Sequence, residues 1–495
     1  MMIIKYARQR AVMRFSLLMT VITVPAFSQS DDVAPDLPRI NQANPANPAD
    51  PANPTNPTNP AIDIFYALLD INTSNLTLNL GGRLAGAGFF STTFETIAQS
   101  MDPETWFWET GDRFFVNQFG HPWQGSTYFA SARINGFNFY GSIPFALIGS
   151  LQWETMYELG SSINDVISTS LGGVSLGEML HRLFLEVDVS PSAGAKIGGF
   201  VLSPLESVNA IYHRPKRETG GGNIYRLTVK AGFEKTFARF TGHQTEADAW
   251  QSPGGYLGAN VIYGDPFTRE IRKPYDHFEA SADLTANFAS YNMQVISDGF
   301  IFSAAPAAPA RAQNTFTNTG LTLHYDFFNA TNDIIDNVGY GNIQFSSNAV
   351  DWTVKHAVIL SERAHLSIKA HAGLVLWGTS MYNDNMASDT YLMDTRNTYG
   401  IGENLKLFFT ASHEKGGTLE LAATGYHIRN IPVTSGHSTG NVFFLNCSLA
   451  YDLSFNERIG IGATLRHWNL LGLYDTADKV SRRLVSAGVY TSFRF

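Results

Sequence analysis

The chain has 495 residues, a formal net charge of −9, 44% hydrophobic residues and 16% charged residues. An acidic chain of this kind is a poor partner for nucleic acid, which selects basic faces. A single cysteine, Cys447, excludes an internal disulfide, and the many glycines (43) and phenylalanines (35) fit strands in which polar and apolar residues alternate.

Residues 1–28 read as a secretory signal peptide. Lys5, Arg8, Arg10 and Arg14 form a basic start, and Phe15 to Phe27 form an apolar run. That run is shorter than the roughly 20 residues a spanning helix needs. Ala26-Phe27-Ser28 gives a cleavage pattern before Gln29. Cleavage removes those four positive charges and lowers the net charge from −9 to −13.

Residues 29–61 are of low complexity, and from Asn44 to Pro60 they repeat Asn-Pro-Ala, Asp-Pro-Ala and Asn-Pro-Thr. Proline at every third position favours an extended polyproline II linker and forbids helix. It reads as a periplasmic spacer, with a binding segment for a periplasmic partner as the second reading.

Residues 62–190 read as a partly helical region. Leu76, Leu78 and Leu80 alternate and suggest a strand. Ser126 to Tyr140 has helical texture. Pro144 is placed to start a helix through Leu159, and Ser161 to Asp165 offers caps for another through Leu183.

Polar residues punctuate this region. The chain reads His121-Pro122-Trp123-Gln124-Gly125-Ser126, then Arg133, then Trp153-Glu154-Thr155-Met156-Tyr157-Glu158. Ser162-Ile163-Asn164-Asp165, Gly177-Glu178 and Arg182 follow. On helices, Glu154 and Glu158 share a face at i,i+4, as do Glu178 and Arg182. Ionised groups in an apolar setting need partners. The first reading is therefore a structural polar network of Arg133, Glu154, Glu158, Asn164, Asp165, Glu178 and Arg182, with an arginine on a glutamate. The second reading is a lipid- or lipopolysaccharide-modifying enzyme. Its candidate catalytic residues are His121 as base, Ser126 as nucleophile, and Glu154, Glu158, Asp165 or Glu178 as orienting carboxylates. Glu178-x-x-His181 occurs once only, so no metal site and no cofactor are assigned.

From about residue 225 the period becomes two. Residues 366–370, 405–410, 419–424 and 459–466 alternate, with short turns at 361–363, 414–417 and 456–458 between longer polar loops. In the last stretch, Val485, Ala487, Val489, Thr491, Phe493 and Phe495 share one strand face. A closing strand ending on Phe resembles the assembly signal of bacterial outer-membrane barrels, carried here by Phe493 and Phe495.

The motifs of residues 121–182 resemble an uncharacterised family of Gram-negative outer-membrane proteins, a domain of unknown function. The resemblance implies an outer-membrane barrel with an N-terminal helical section and implies no activity. The fold expected is mainly β, a transmembrane antiparallel barrel of about 12 strands (14 as the alternative) over residues 191–495. A plug-like helical segment precedes it, inside the lumen or at its periplasmic mouth. The function expected is a plugged channel or structural barrel of the Gram-negative outer membrane. Its expected partners are outer-membrane lipids, lipopolysaccharide and the barrel-assembly machinery.

Overall fold

The computed structural model describes residues 59–108, 113–212, 220–242, 245–267, 271–288, 290–304, 314–332, 343–381, 397–431, 439–475 and 478–495. The signal peptide and almost all of the Asn-Pro spacer lie outside the described residues.

Among the described residues, thirteen strands form one antiparallel sheet: β1 (Ile224–Gly242), β2 (Thr245–Trp250), β3 (Gly254–Tyr263), β4 (Phe278–Ala286), β5 (Ser290–Ala304), β6 (Thr315–Asn332), β7 (Ile343–Ser361), β8 (Ala364–Met381), β9 (Asn397–His413), β10 (Gly417–Asn430), β11 (Gly440–Ser454), β12 (Ile459–Tyr474) and β13 (Val480–Arg494). β2 and β3 lie end to end along β1, and β13 pairs with β1, so the sheet closes as a 12-strand barrel. The four alternating runs read from the sequence fall in β8, β9, β10 and β12. The turns expected at 361–363, 414–417 and 456–458 are the tight connections after β7, β9 and β11.

Alternation sets the two faces. Leu405 and Leu407 on β9, and Leu445 and Leu449 on β11, are exposed on the outside. Lys406 and Asn446 between them point into the lumen and are buried. Val485, Val489 and Phe493 are exposed on the same outer surface. Exposed apolar residues on β11 run from Phe443 to Leu453. On a tilted strand that is roughly 25 Å of height, the apolar band of a membrane barrel. Phe495 closes the seam: its N–H donates to the Leu227 carbonyl at 2.9 Å, and its carbonyl accepts from the Leu227 N–H at 3.3 Å.

The lumen is packed by the barrel's own side chains. Toward the long-loop end, Phe328, Phe345, Tyr426, Phe444, Trp468 and Leu470 form an apolar stopper. Below it, ion pairs bridge strands that are not neighbours. Lys369 of β8 reaches Asp298 of β5 at 2.6 Å and Glu279 of β4 at 2.7 Å. Arg466 of β12 reaches Glu234 of β1 and Asp283 of β4, both at 3.2 Å. Lys406 of β9 meets Asp326 of β6.

The helices are α1 (Pro60–Leu84), α2 (Phe94–Ser100), α3 (His121–Ile134), α4 (Phe139–Gln152), α5 (Ile163–Asp188), α6 (Ala193–Leu202) and α7 (Pro204–Tyr212). A helical section precedes the barrel, as the sequence implied, and it extends to Tyr212 rather than to residue 190. Its place corrects the plug expectation: it packs on the outer wall, not in the lumen or at its mouth. Tyr325, Phe327, Ser346 and Tyr399, which it covers, have the strand parity of the exposed Trp352, Val354, Ile401 and Leu405. Phe327 packs among Phe114, Phe115 and Phe119 of the helical section. α5 lies on the wall, with Asn164 at β9 and Arg182 near β3 and β4. The alternating leucines 76, 78 and 80 lie within α1, and Pro144 sits inside α4, whose cap is Asn138. The proline only forgoes one i→i−4 bond there.

α3 and α5 approach through glycine. A Cβ on Gly125 would stand 1.9 Å from the Thr169 carbonyl oxygen, and one on Gly173 would stand 2.5 Å from the Gly125 carbonyl carbon. Backbone cannot yield as a side chain does. Gly125→Leu is expected to destabilise the helical layer by about 3 kcal/mol or more. Thermal melting of the helical circular-dichroism signal, compared with the wild type, checks this.

Candidate functional site

The candidate residues lie along the seam between the helices and the outer wall. The chain leaves α4 through a π-turn over Trp153–Tyr157 and re-enters helix at α5. Ser162 caps α5, its hydroxyl accepting from the Asp165 N–H at 3.3 Å. Glu154 Oε2 accepts from the Ser162 N–H at 2.8 Å. Glu158 lies beyond the π-turn in extended backbone and accepts from Trp153 Nε1 at 2.5 Å. The two glutamates therefore do not share a helix face as i,i+4 spacing suggested. The π-turn and the chain's exit from helix shift their phase.

The start of α5 is tied to the barrel. Asp165 Oδ1 accepts from Asn164 at 2.8 Å and from Asn117 at 3.0 Å. Both amides also donate to the Tyr399 hydroxyl, at 2.8 and 3.1 Å. Trp377 Nε1 donates to Ser168 Oγ at 3.0 Å, and Ser346 Oγ donates to Gln118 Oε1 at 2.7 Å. His121 Nε2 stands 3.9 Å from Asp165 Oδ1, and its Nδ1 is 3.3 Å from Thr169 Oγ1.

Further along α5, Glu178 takes two arginines. Arg133 pairs with it in a fork at 2.7 and 3.2 Å, and Arg182 Nε donates to it at 2.9 Å. Arg182 continues to Asp276 at 3.1 Å and to the Pro274 carbonyl at 2.7 Å, in the β3–β4 connection. In the same connection Tyr275 donates to the Ser175 carbonyl at 2.9 Å. Burial pushes its phenol well above the ordinary range, with Glu178 adding to the effect, so it stays a neutral donor.

These residues do not converge on one reacting centre. Glu154 serves the α5 cap, whereas Glu178 lies 16 positions beyond Ser162, about 24 Å along the helix. The Ser126 hydroxyl donates to the Trp123 carbonyl of its own helix at 2.6 Å, and its hydrogen bonds include none to His121. His181 Nδ1 is 2.5 Å from Glu206. What the arrangement can do is hold helices to one another and to the barrel.

A second cluster lies in the lumen, and the sequence reading missed it. His324, Asp351 and His371 bring potential ligand atoms within 4.8 Å of one another. His324 Nε2 is 3.2 Å from Asp351 Oδ2. Lys406 Nζ, however, stands 3.0 Å from His324 Nδ1. An ammonium donating there puts the ring proton on Nε2, which is 2.8 Å from the Thr322 hydroxyl, and leaves no lone pair for a cation. The contacts describe a charge network better than a metal centre. The visible signal for such residues was a lysine between apolar strand neighbours, as at Leu405-Lys406-Leu407.

Fold and site together define a closed β-barrel of outer-membrane type that carries a helical layer on its outer wall. The model of a family described as a domain of unknown function (DUF3943) matches residues 105–205, which contain the motif region read from the sequence. Comparison with curated proteins found no match. Among solved structures, the chain is similar to the Pseudomonas putida toluene transporter TodX at 11% identity, with 58% of this chain and 93% of that chain covered and a TM-score of 0.21. It is similar to the Acinetobacter baumannii outer membrane protein Omp33 at 10% identity, with 55% and 100% covered and a TM-score of 0.20. It is also similar to the translocator domain of the autotransporter NalP from Neisseria meningitidis at 10% identity, with 54% and 88% covered and a TM-score of 0.24.

Removing one partner from a buried ion pair strands the other. Glu178→Gln takes the shared charge from Arg133 and Arg182 and is expected to cost about 3–5 kcal/mol. The helical circular-dichroism signal should melt at lower temperature, while the heat-modifiable gel mobility of the barrel stays that of wild type.

Proposed function

We propose that the protein is a non-enzymatic structural barrel of the Gram-negative outer membrane, exported through a cleaved leader, whose lumen does not conduct. The observation that carries this reading is the filled lumen. An aromatic stopper around Phe345, Phe444 and Trp468 lies over cross-lumen pairs such as Lys369–Asp298 and Arg466–Asp283. Charged pairs of this kind resist opening, because separating them in a low-dielectric interior leaves each charge uncompensated. Because the helices lie on the outer wall, their removal opens no path. The barrel then acts as a support that holds the helical layer at the membrane.

Single-channel recording in planar bilayers tests the reading. The mature protein and a form lacking residues 62–190 should both stay closed. Conductance steps in the truncated form alone would overturn the proposal and return the helical section to the role of a plug.

A further inference from the structure

The helical layer is built with its polar side inward. On α1, the buried face carries Ala67, Asp70, Ile71, Asn75 and Asn79. The opposite face exposes Phe65, Leu69, Leu76 and Leu80. The buried amides are satisfied within the layer. Asn79 donates to the Phe90 and Tyr157 carbonyls at 2.9 and 2.6 Å, and Asp70 accepts from Asn135 and Asn209 at 2.8 and 2.6 Å. α4 contains no charged residue and exposes Ile143, Leu147, Ile148 and Leu151 along one face. A helix facing water shows the reverse pattern. Close glycine contact between α3 and α5 is the packing that serves helices where burial from water supplies no drive.

The height of this layer follows from the barrel's register. Hydrogen-bonded rows followed from Glu234 through β13 and onward to β8 arrive at Ala357 on β7. Followed the other way, through β3, β4, β5 and β6, they arrive beside Ile343. The two arrivals are about 15 residues apart, the stagger that closing a tilted sheet requires. Midway between them, level with Glu234, lies Ala349, close to the helix-covered Ser346 and Phe327. On β11 the same level falls near Asn446, after a drift of about one residue per strand. Asn446 is flanked by the exposed Leu445 and Leu449. The layer thus covers the wall at the height where the bare side of the barrel presents its apolar band.

We propose that the outer faces of α1 and α4 contact lipid acyl chains, so that the helical layer is embedded in the hydrocarbon of the bilayer beside the barrel. Among the described residues no helix is long and apolar enough to cross a membrane alone. The layer instead replaces part of the barrel's own lipid-facing surface: its inner side satisfies the wall, and its outer side continues the apolar band. This inference does not rest on the absence of conductance.

The test uses the full chain in a Cys447→Ser background, with single cysteines introduced by Leu69→Cys and Leu147→Cys and labelled with an environment-sensitive fluorophore. Leu445→Cys reports the bare lipid face and Glu457→Cys reports water at a turn. The probe is phosphatidylcholine brominated in mid-chain, with aqueous iodide as the second quencher and heat-modifiable mobility as the control for folding. Labels at positions 69 and 147 are expected to lose fluorescence to brominated lipid to the same extent as the label at 445, and to resist iodide. Quenching by iodide like that at position 457 would overturn the proposal. Resistance to both quenchers would also overturn it, since the face would then be covered by protein.

Discussion

A polar group placed in hydrocarbon has no water to bind, so it must find its partners inside the protein. Each part of this molecule answers that requirement. The sheet closes where β13 pairs with β1, and the last residue completes the seam through paired bonds between Phe495 and Leu227. Charged side chains such as Lys369, Lys406 and Arg466 point into the lumen, where each meets an opposite charge from another strand. The buried polar residues of the helical section, such as Asn79, Asn164 and Glu178, bond to one another, to neighbouring backbone or to the barrel wall.

The two interiors are different solutions to the same problem. The lumen uses long side chains that reach across it, such as Lys369 to Glu279, because its walls are fixed by backbone pairing. The helix–wall seam uses short amides and hydroxyls, such as Asn164 with the Tyr399 hydroxyl. Arg133, Glu178 and Arg182 fasten the far end of α5, and Asn117, Asn164 and Asp165 fasten the near end. Polar anchors at both ends give a slender helix one position on a broad apolar wall. Packing alone would allow several.

Much of the barrel was legible in the residues, because strand alternation is local. Leu405-Lys406-Leu407 shows its two faces without help from the rest of the chain. The Ser162 cap was legible for the same reason. The docking of the helical layer was not. Tyr325, Phe327 and Tyr399 look like lipid-facing aromatics, and only the fold reveals that helices cover them. The phase of Glu154 and Glu158 was misread because a π-turn leaves no mark in residue spacing. Leu76, Leu78 and Leu80 imitate a strand because α1 exposes leucine on a broad arc. Lumen pairs such as Arg466 with Asp283 join residues far apart in the chain and become neighbours only through curvature.

The central claim is that the helical section lies on the outside of the barrel. Adjacent residues of β7 point to opposite faces, so cross-linking can decide it. In the full chain carrying Cys447→Ser, Gln118→Cys would be combined either with Ser346→Cys, which faces outward, or with Phe345→Cys, which faces the lumen. A short bis-thiosulfonate cross-linker should join 118 to 346 within one chain and leave 118 and 345 apart. Efficient joining of 118 to 345, with none to 346, would place the helices in the lumen and contradict the account.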